Sequence, residues 1–326
     1  MTARVEIRDL VVSYASGEGA ICALDGVSLA IAADETIGIV GESGSGKSTL
    51  GMAIGRLLAP NASFDGGDVL VEGRSMLRCT DAELRAVRRD RLGFVFQNPM
   101  SALDPTMRIG RQIALALDLP LRSPRILELL AKASLDDPAT VAASFPHELS
   151  GGMAQRVVIA LAIARNPAVV IADEPTASLD ASIKGAILDL LMALGRDTGA
   201  SLVIMSHDLR MVARRCARIF VMYGGRVVES GASDEVFATP RHPYTEALVR
   251  AAAGNEGPGG HLEPIPGVPP VLHRRSADCA FASRCMHAQA ICRSQRPPEV
   301  QVQGRVVTCH FALEGVTAGP VAVEAT

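Results

Sequence analysis

Nine consecutive residues, Gly41-Glu42-Ser43-Gly44-Ser45-Gly46-Lys47-Ser48-Thr49, fit the spacing GxxxxGK(S/T). Glycines at those positions let successive backbone N–H groups turn inward around phosphate oxygens. A helix beginning at Lys47 would add the partial positive charge of its N-terminus. Lys47 would then reach the β- and γ-phosphates of a nucleotide, and the Ser48 hydroxyl would bind Mg²⁺. Far downstream, the apolar run Val169–Ala172 ends in Asp173-Glu174. Asp173 at a strand end can hold Mg²⁺ through water, and Glu174 can orient an attacking water. An apolar run ending in two acids is common, but beside a phosphate loop it reads as a hydrolase site.

A second anion-binding pattern is Leu149-Ser150-Gly151-Gly152-Met153-Ala154-Gln155. Ser150 is a good N-cap, and an apolar helix over Gly151 to Arg165 follows it. Ser150, Gly151 and Gly152 at that helix start expose backbone N–H groups to an anion. A third constellation is Cys279, Cys285, Cys292 and Cys309, spaced C-x5-C-x6-C-x16-C. Without a CxxC pair, the usual zinc-ribbon spacing is not met. Four thiolates suit either tetrahedral Zn²⁺ or a 4Fe–4S cluster.

With Leu149–Gly152 standing just before the Asp-Glu strand, the sequence resembles the ATP-binding-cassette (ABC) ATPases over about residues 4 to 312. The resemblance implies ATP and Mg²⁺ as ligands and hydrolysis of ATP coupled to translocation. It gives Gln97 the Q-loop position as a further Mg²⁺ ligand, Asp180 of Ser178-Leu179-Asp180 the D-loop, and His207 the switch position. Tyr14 takes the place of the aromatic that stacks on adenine. Glu174, His207 and Lys47 are the implied catalytic set. Gly41, Glu42, Ser43, Gly44, Ser45, Gly46, Lys47, Ser48, Thr49, Gln97 and Asp173 line the nucleotide, and Ser150, Gly151 and Gly152 reach it from a second cassette.

Three segments are similar to the oligopeptide, dipeptide and nickel importer branch: Phe96–Pro105, Pro146–Met153 and Arg241–Thr245. Met153 stands where the family usually has Gln, as it does in that branch. The branch implies two membrane-spanning permease subunits, a second ABC ATPase (a copy or a sibling) and an extracytoplasmic substrate-binding protein as partners. Some members bind a 4Fe–4S cluster with a similar C-terminal cysteine segment. The expected function is ATP-driven uptake of oligopeptides or dipeptides at the cytoplasmic face of a bacterial membrane. Nickel or an oligosaccharide is the alternative cargo. A soluble ABC ATPase outside transport is a more distant reading, and intact Glu174 and His207 argue against a module that only binds ATP.

The elements that must position these residues follow from hydrophobic pattern. Residues 4–12 and 23–32, Thr36–Val40, Leu92–Phe96, Val169–Ala172 and Leu202–Met205 read as strands. Lys47–Leu58 and Ile183–Leu194 read as helices, and residues 106–145 as a helical insertion. Strands alternating with helices predict an α/β fold, a P-loop NTPase (RecA-like) core with a mostly parallel sheet. An N-terminal β subdomain, an inserted helical subdomain at about 98–165 and a small cysteine-ligated metal segment complete it. The expected boundaries are 1–253 for the nucleotide-binding domain, 254–278 for a Gly/Pro linker, 279–312 for the cysteine segment and 313–326 for a flexible tail.

Composition excludes other classes. The 326 residues are 48% hydrophobic, enough for a substantial core, so disorder is not their main character. A formal charge of −3 offers nucleic acid no global attraction, and 3% aromatics with no Trp provide no base-stacking platform. Only Lys47, Lys132 and Lys184 are lysines; the other basic residues are arginine. The charged Met1–Leu10 predicts no secretory signal. The most apolar stretch, Val157–Ala172, is broken by Arg165, Asn166 and Pro167 and is too short to span a bilayer.

Overall fold

The computed structural model describes residues 3–17, 19–252, 265–273 and 275–312. In chain order the elements are β1 (Val5–Ser16), β2 (Gly19–Ile31), β3 (Thr36–Val40), α1 (Lys47–Ile54), β4 (Ala62–Val71), β5 (Arg74–Ser75), α2 (Asp81–Asp90) and β6 (Leu92–Val95). Next come α3 (Pro99–Ala102), α4 (Ile109–Leu117), α5 (Pro124–Lys132), α6 (Pro138–Ala143), α7 (Gly151–Ile163), β7 (Val169–Asp173), α8 (Ala181–Thr198) and β8 (Ser201–Ser206). The chain continues through α9 (Leu209–Ala213), β9 (Arg218–Tyr223), β10 (Arg226–Ala232), α10 (Ser233–Ala238), α11 (Pro243–Ala252), β11 (Glu299–Val302) and β12 (Arg305–Thr308).

These elements form two compact units. The first comprises Met1–Val5, Ile31–Glu35 and Val71–Met205. Its strands β8, β7 and β6 lie side by side and parallel, in that order, with Val95 opposite Ala172 and Asp173 opposite Met205. Every residue of β7 is buried, which explains its continuous apolar run. Helix α7 lies against β6 so closely that a Cβ on Gly93 would come within 2.3 Å of the Ala162 carbonyl. The insertion is helical as expected: Ile109 and Ile113 of α4, Ile126 and Leu130 of α5 and Val141 of α6 join Val157 and Val158 of α7 in one core.

The second unit comprises Glu6–Ala30, Thr36–Leu70 and Ser206–Thr326. It contains β2, β1 and β4 side by side, and a five-strand run in the order β11–β12–β10–β9–β3. β3 and β9 are parallel, whereas β9–β10, β10–β12 and β11–β12 are antiparallel. The turn between β9 and β10 is Gly224-Gly225, both at positive φ (53° and 73°), which suits a tight two-residue hairpin. Helix α1 stops four residues before the expected Leu58, because Gly55 caps it and Arg56 turns left-handed (φ 51°).

Within the expected cysteine segment 279–312, residues 299–308 add two strands to the edge of β10, with Glu229 opposite Val307. The expected linker 254–278 lies outside the described residues at 254–264 and at 274, as does the expected tail 313–326.

Candidate nucleotide site

In the second unit the phosphate loop runs from the end of β3 into α1. Two of its glycines are there because nothing larger fits. A Cβ on Gly41 would meet the Met222 carbonyl at 2.2 Å, and one on Gly46 would meet the Ala23 carbonyl at 2.7 Å. Gly46, the N-cap of α1, also sits at φ 102°. Lys47 is nearly buried, and its ammonium donates to the carbonyls of Gly41 (2.7 Å) and Glu42 (3.0 Å). The Ser45 hydroxyl is buried with no hydrogen-bond partner. The loop thus presents a backbone cradle, one cation and an unanswered polar atom, a donor set suited to phosphate oxygens. The Tyr14 hydroxyl is 3.3 Å from the Thr49 hydroxyl, so the expected adenine-side tyrosine belongs to the same loop region. His207 is exposed just before α9, whose N-cap Asp208 accepts from the Met211 amide (3.0 Å).

In the first unit Gln97, Asp173 and Glu174 lie at or just beyond the carboxyl ends of the parallel strands β6 and β7, where open α/β sheets place their ligands. Asp173 closes β7 and is almost buried. Glu174 follows with φ 47°, a left-handed backbone uncommon for a residue with a side chain, and its amide donates to the Met205 carbonyl (2.9 Å). Gln97 comes two residues after β6 ends, and the Ser178 hydroxyl donates to its carbonyl at 3.5 Å. The Ser150 hydroxyl accepts from the Met153 amide (3.3 Å) and caps α7 as its sequence demands. Gly152 has little room: a Cβ there would lie 3.1 Å from the Ile183 side chain. Asp180 is the N-cap of α8 but makes no capping bond with its side chain.

The expected cysteine-ligated metal segment is not supported. The four cysteines do fold near one another. The Cys279 amide donates to the Cys292 carbonyl (2.9 Å). Burial, followed by smaller charge effects from Cys279, Cys285 and Cys292, pushes the Cys309 thiol up to about 11. Yet among the described residues no three His, Cys, Asp or Glu side chains are disposed to hold an ion.

Comparison with known proteins gives the same picture. The ABC transporter family model matches residues 24–177. A probable peptide ABC transporter ATP-binding protein of Sinorhizobium fredii is 40% identical over 321 residues, covering 96% of each chain. That extent of identity decides the assignment. The chain belongs to the ABC transporter family of ATP-binding proteins. A model named for the C-terminal region of oligopeptide/dipeptide transporters matches residues 228–292 of this ABC protein. The oligopeptide transport ATP-binding protein OppD of Bacillus subtilis is 40% identical to it, covering 93% of this chain and 87% of its own. Among solved structures, a dimeric ATP-binding cassette in a post-hydrolysis state with ADP and Pi superimposes with a TM-score of 0.62 at 34% identity. It covers 70% of this chain and 98% of its own. The ABC fold is therefore a P-loop NTPase fold with mixed α/β sheets.

Sequence reasoning missed several residues that shape this site. Tyr244, within the Arg241–Thr245 run, puts its hydroxyl on the Glu42 amide at 2.8 Å. Arg284 forms an ion pair with the Glu42 carboxylate (2.6 Å). It also missed a separate ion-pair centre outside the phosphate loop: Asp25, fully buried, collects Arg226, Arg275 and Arg296. Only the Tyr244 run carried a signal, as a segment shared with the importer branch.

Proposed function

We propose that this chain is the ATP-hydrolysing subunit of an importer that takes up peptides. The observation that carries the proposal is the phosphate loop itself: Gly41 and Gly46 leave room for no side chain, Lys47 is turned into the loop, and Ser45 holds an unmatched hydroxyl. In this reading Lys47 draws charge from the β- and γ-phosphates, and Tyr14 lies under the adenine. Ser48, Gln97 and Asp173 would hold Mg²⁺, which supplies charge neutralisation on the phosphates. Glu174 orients the attacking water, its strained backbone fixing the carboxylate's direction, and His207 senses the γ-phosphate. Ser150, Gly151 and Gly152 of a second cassette, with Asp180 nearby, complete the site in a head-to-tail dimer.

The peptide cargo rests on the names of the relatives and on the match to the transporters' C-terminal region. No helix among the described residues is long and apolar enough to cross a bilayer. One feature supports membrane partners. The helical insertion carries an open cleft of about 640 Å³ lined by Met107, Leu121, Pro124, Leu127 and Phe145, with Leu121 62% exposed. A cleft of that kind suits a helix of a permease subunit. The chain then sits peripherally at the cytoplasmic membrane face. A bound 4Fe–4S cluster or Zn²⁺ at Cys279, Cys285, Cys292 and Cys309 draws support from their proximity alone, and iron and zinc content of anaerobically purified protein tests it.

The transport proposal is tested in vesicles that carry the cognate permease subunits, the second ATPase and the binding protein. ATP-dependent accumulation of a labelled peptide, abolished by Lys47→Ala, is expected. ATP hydrolysis without accumulation of any peptide tried would contradict the cargo assignment.

A further inference from the structure

Glu42, the second residue of the phosphate loop, is held by two residues from far along the chain. Its amide donates to the Tyr244 hydroxyl at 2.8 Å. Its carboxylate accepts both arms of the Arg284 guanidinium, Nη1 to Oε2 at 2.6 Å and Nη2 to Oε1 at 3.1 Å. This is the two-pronged geometry that arginine supplies and lysine cannot.

Arg284 is not a surface arginine that happens to reach an acid. Its side chain is only 3% exposed. Nε donates to the Pro266 carbonyl (2.8 Å), Nη2 also to the Ile265 carbonyl (3.0 Å), and Nη1 also to the Tyr223 hydroxyl (3.2 Å). The guanidinium lies over the Tyr223 ring, 5.6 Å from its centre. Three residues earlier, Phe281 packs edge-on against Tyr223 (5.1 Å) and Tyr244 (5.4 Å). Those two tyrosines are themselves 4.6 Å apart. The segment also rests on the hairpin turn: a Cβ on Gly224 would lie 2.9 Å from the Ala280 side chain. The next residue of that turn, Gly225, donates its amide to the Ser45 carbonyl at 3.1 Å. The C-terminal segment therefore touches the phosphate loop directly through Arg284 and indirectly through the Gly224-Gly225 turn.

The electrostatic consequence is specific. A loop that must receive a polyanion carries a carboxylate of its own at Glu42. Unpaired, that carboxylate would repel phosphate oxygens; paired with Arg284, it is neutralised and its direction fixed. A loop ordered before the nucleotide arrives also has less freedom to lose on binding. We infer that Arg284 is a positioning residue of the ATP site, which sets nucleotide affinity by holding Glu42 and so makes the C-terminal segment part of that site. This inference rests on reading Gly41–Thr49 as the ATP loop.

Equilibrium binding of a non-hydrolysable ATP analogue to the full-length chain tests it, with thermal melting run on each variant. Arg284→Gln is expected to weaken binding about tenfold, on the scale of a lost charge-assisted hydrogen bond. Arg284→Lys, which keeps the charge without the fork, is expected to lose less, and it carries the test if Arg284→Gln does not fold. The deciding variant is the double one. Glu42→Gln placed on Arg284→Gln should restore most of the lost affinity, because the unpaired carboxylate is what opposes the phosphates. A purely structural tie would not be rescued by removing the other half of the pair. Wild-type binding by both Arg284 variants, or no recovery in the double variant, overturns the inference. Lys47→Ala separates the two levels. If it loses the analogue while Arg284→Gln keeps it, the inference alone fails; if both keep it, the loop assignment fails as well.

Discussion

Two ion-pair sites fasten the same C-terminal segment within the second unit, and they are built differently. At the first, Asp25 is completely buried and accepts from Arg226 (2.7 Å), Arg275 (2.9 Å), Arg296 (3.0 Å) and the Ser276 amide (3.1 Å). Burial would raise its pKa, but the Arg226 hydrogen bond and the surrounding positive charges overcome this and hold it below the ordinary aspartate value. At the second, Glu42 is a quarter exposed and pairs with Arg284. Asp25 lies outside the phosphate loop, whereas Glu42 lies inside it. The contrast separates holding a segment in place from holding a binding loop in shape. Loss of the first should cost stability, and loss of the second should cost nucleotide affinity.

The largest expected effect breaks the first site. Asp25→Asn leaves nearly buried Arg226 without its counter-charge, and the loss should be about 3–5 kcal/mol in denaturant unfolding. The ATP affinity of the folded protein should stay that of the wild type; a matching loss of affinity would erase the distinction between the two sites.

An intermediate effect concerns His242, beside the second site. It is fully buried, and burial pushes its pKa down to about 3 from an ordinary 6.5. Its Nδ1 accepts from the Tyr244 amide at 3.0 Å, which requires the neutral ring. The folded state therefore binds no proton there between those values, while the unfolded state does. Stability from this group is complete above pH 6.5 and is lost as pH falls toward 3. At pH 5 the loss should be about 2 kcal/mol. His242→Asn should flatten that part of the stability profile, and an unchanged slope between pH 7 and 5 would count against it.

The smallest effect sharpens the first site. The Arg275 side chain is 48% exposed, so Arg275→Ala should cost about 0.5–1 kcal/mol, far less than the loss of Asp25. Equal costs would mean that Asp25 draws its role from surface charge rather than from burial.

The phosphate-loop pattern and the acidic strand end were legible because chemistry dictates their spacing. Gly41, Gly46 and Lys47 have to be neighbours, and Asp173 and Glu174 have to end a strand. The helical insertion was legible for a similar local reason, its apolar periodicity. Arg284 was not legible, because its partner lies 242 residues earlier and no local rule links them. The β9–β10 hairpin had a usable signal that went unread, the Gly224-Gly225 pair between two apolar runs. The β11–β12 hairpin turns at Gln303-Gly304, both at positive φ (50° and 80°), and Gln is a poor marker for such a turn. The apolar residues of the C-terminal segment need no separate core, since β12 extends an existing sheet and Phe281 is buried among Tyr223, Tyr244 and His242.

The central claim, that this ABC protein hydrolyses ATP with Glu174 orienting the water, has one most direct measurement: phosphate release from Mg²⁺-ATP by the wild-type assembly and by Glu174→Gln. The account predicts that the variant still binds ATP and loses turnover by about a hundredfold or more, since an amide cannot act as a base. Turnover like the wild type in Glu174→Gln would contradict it.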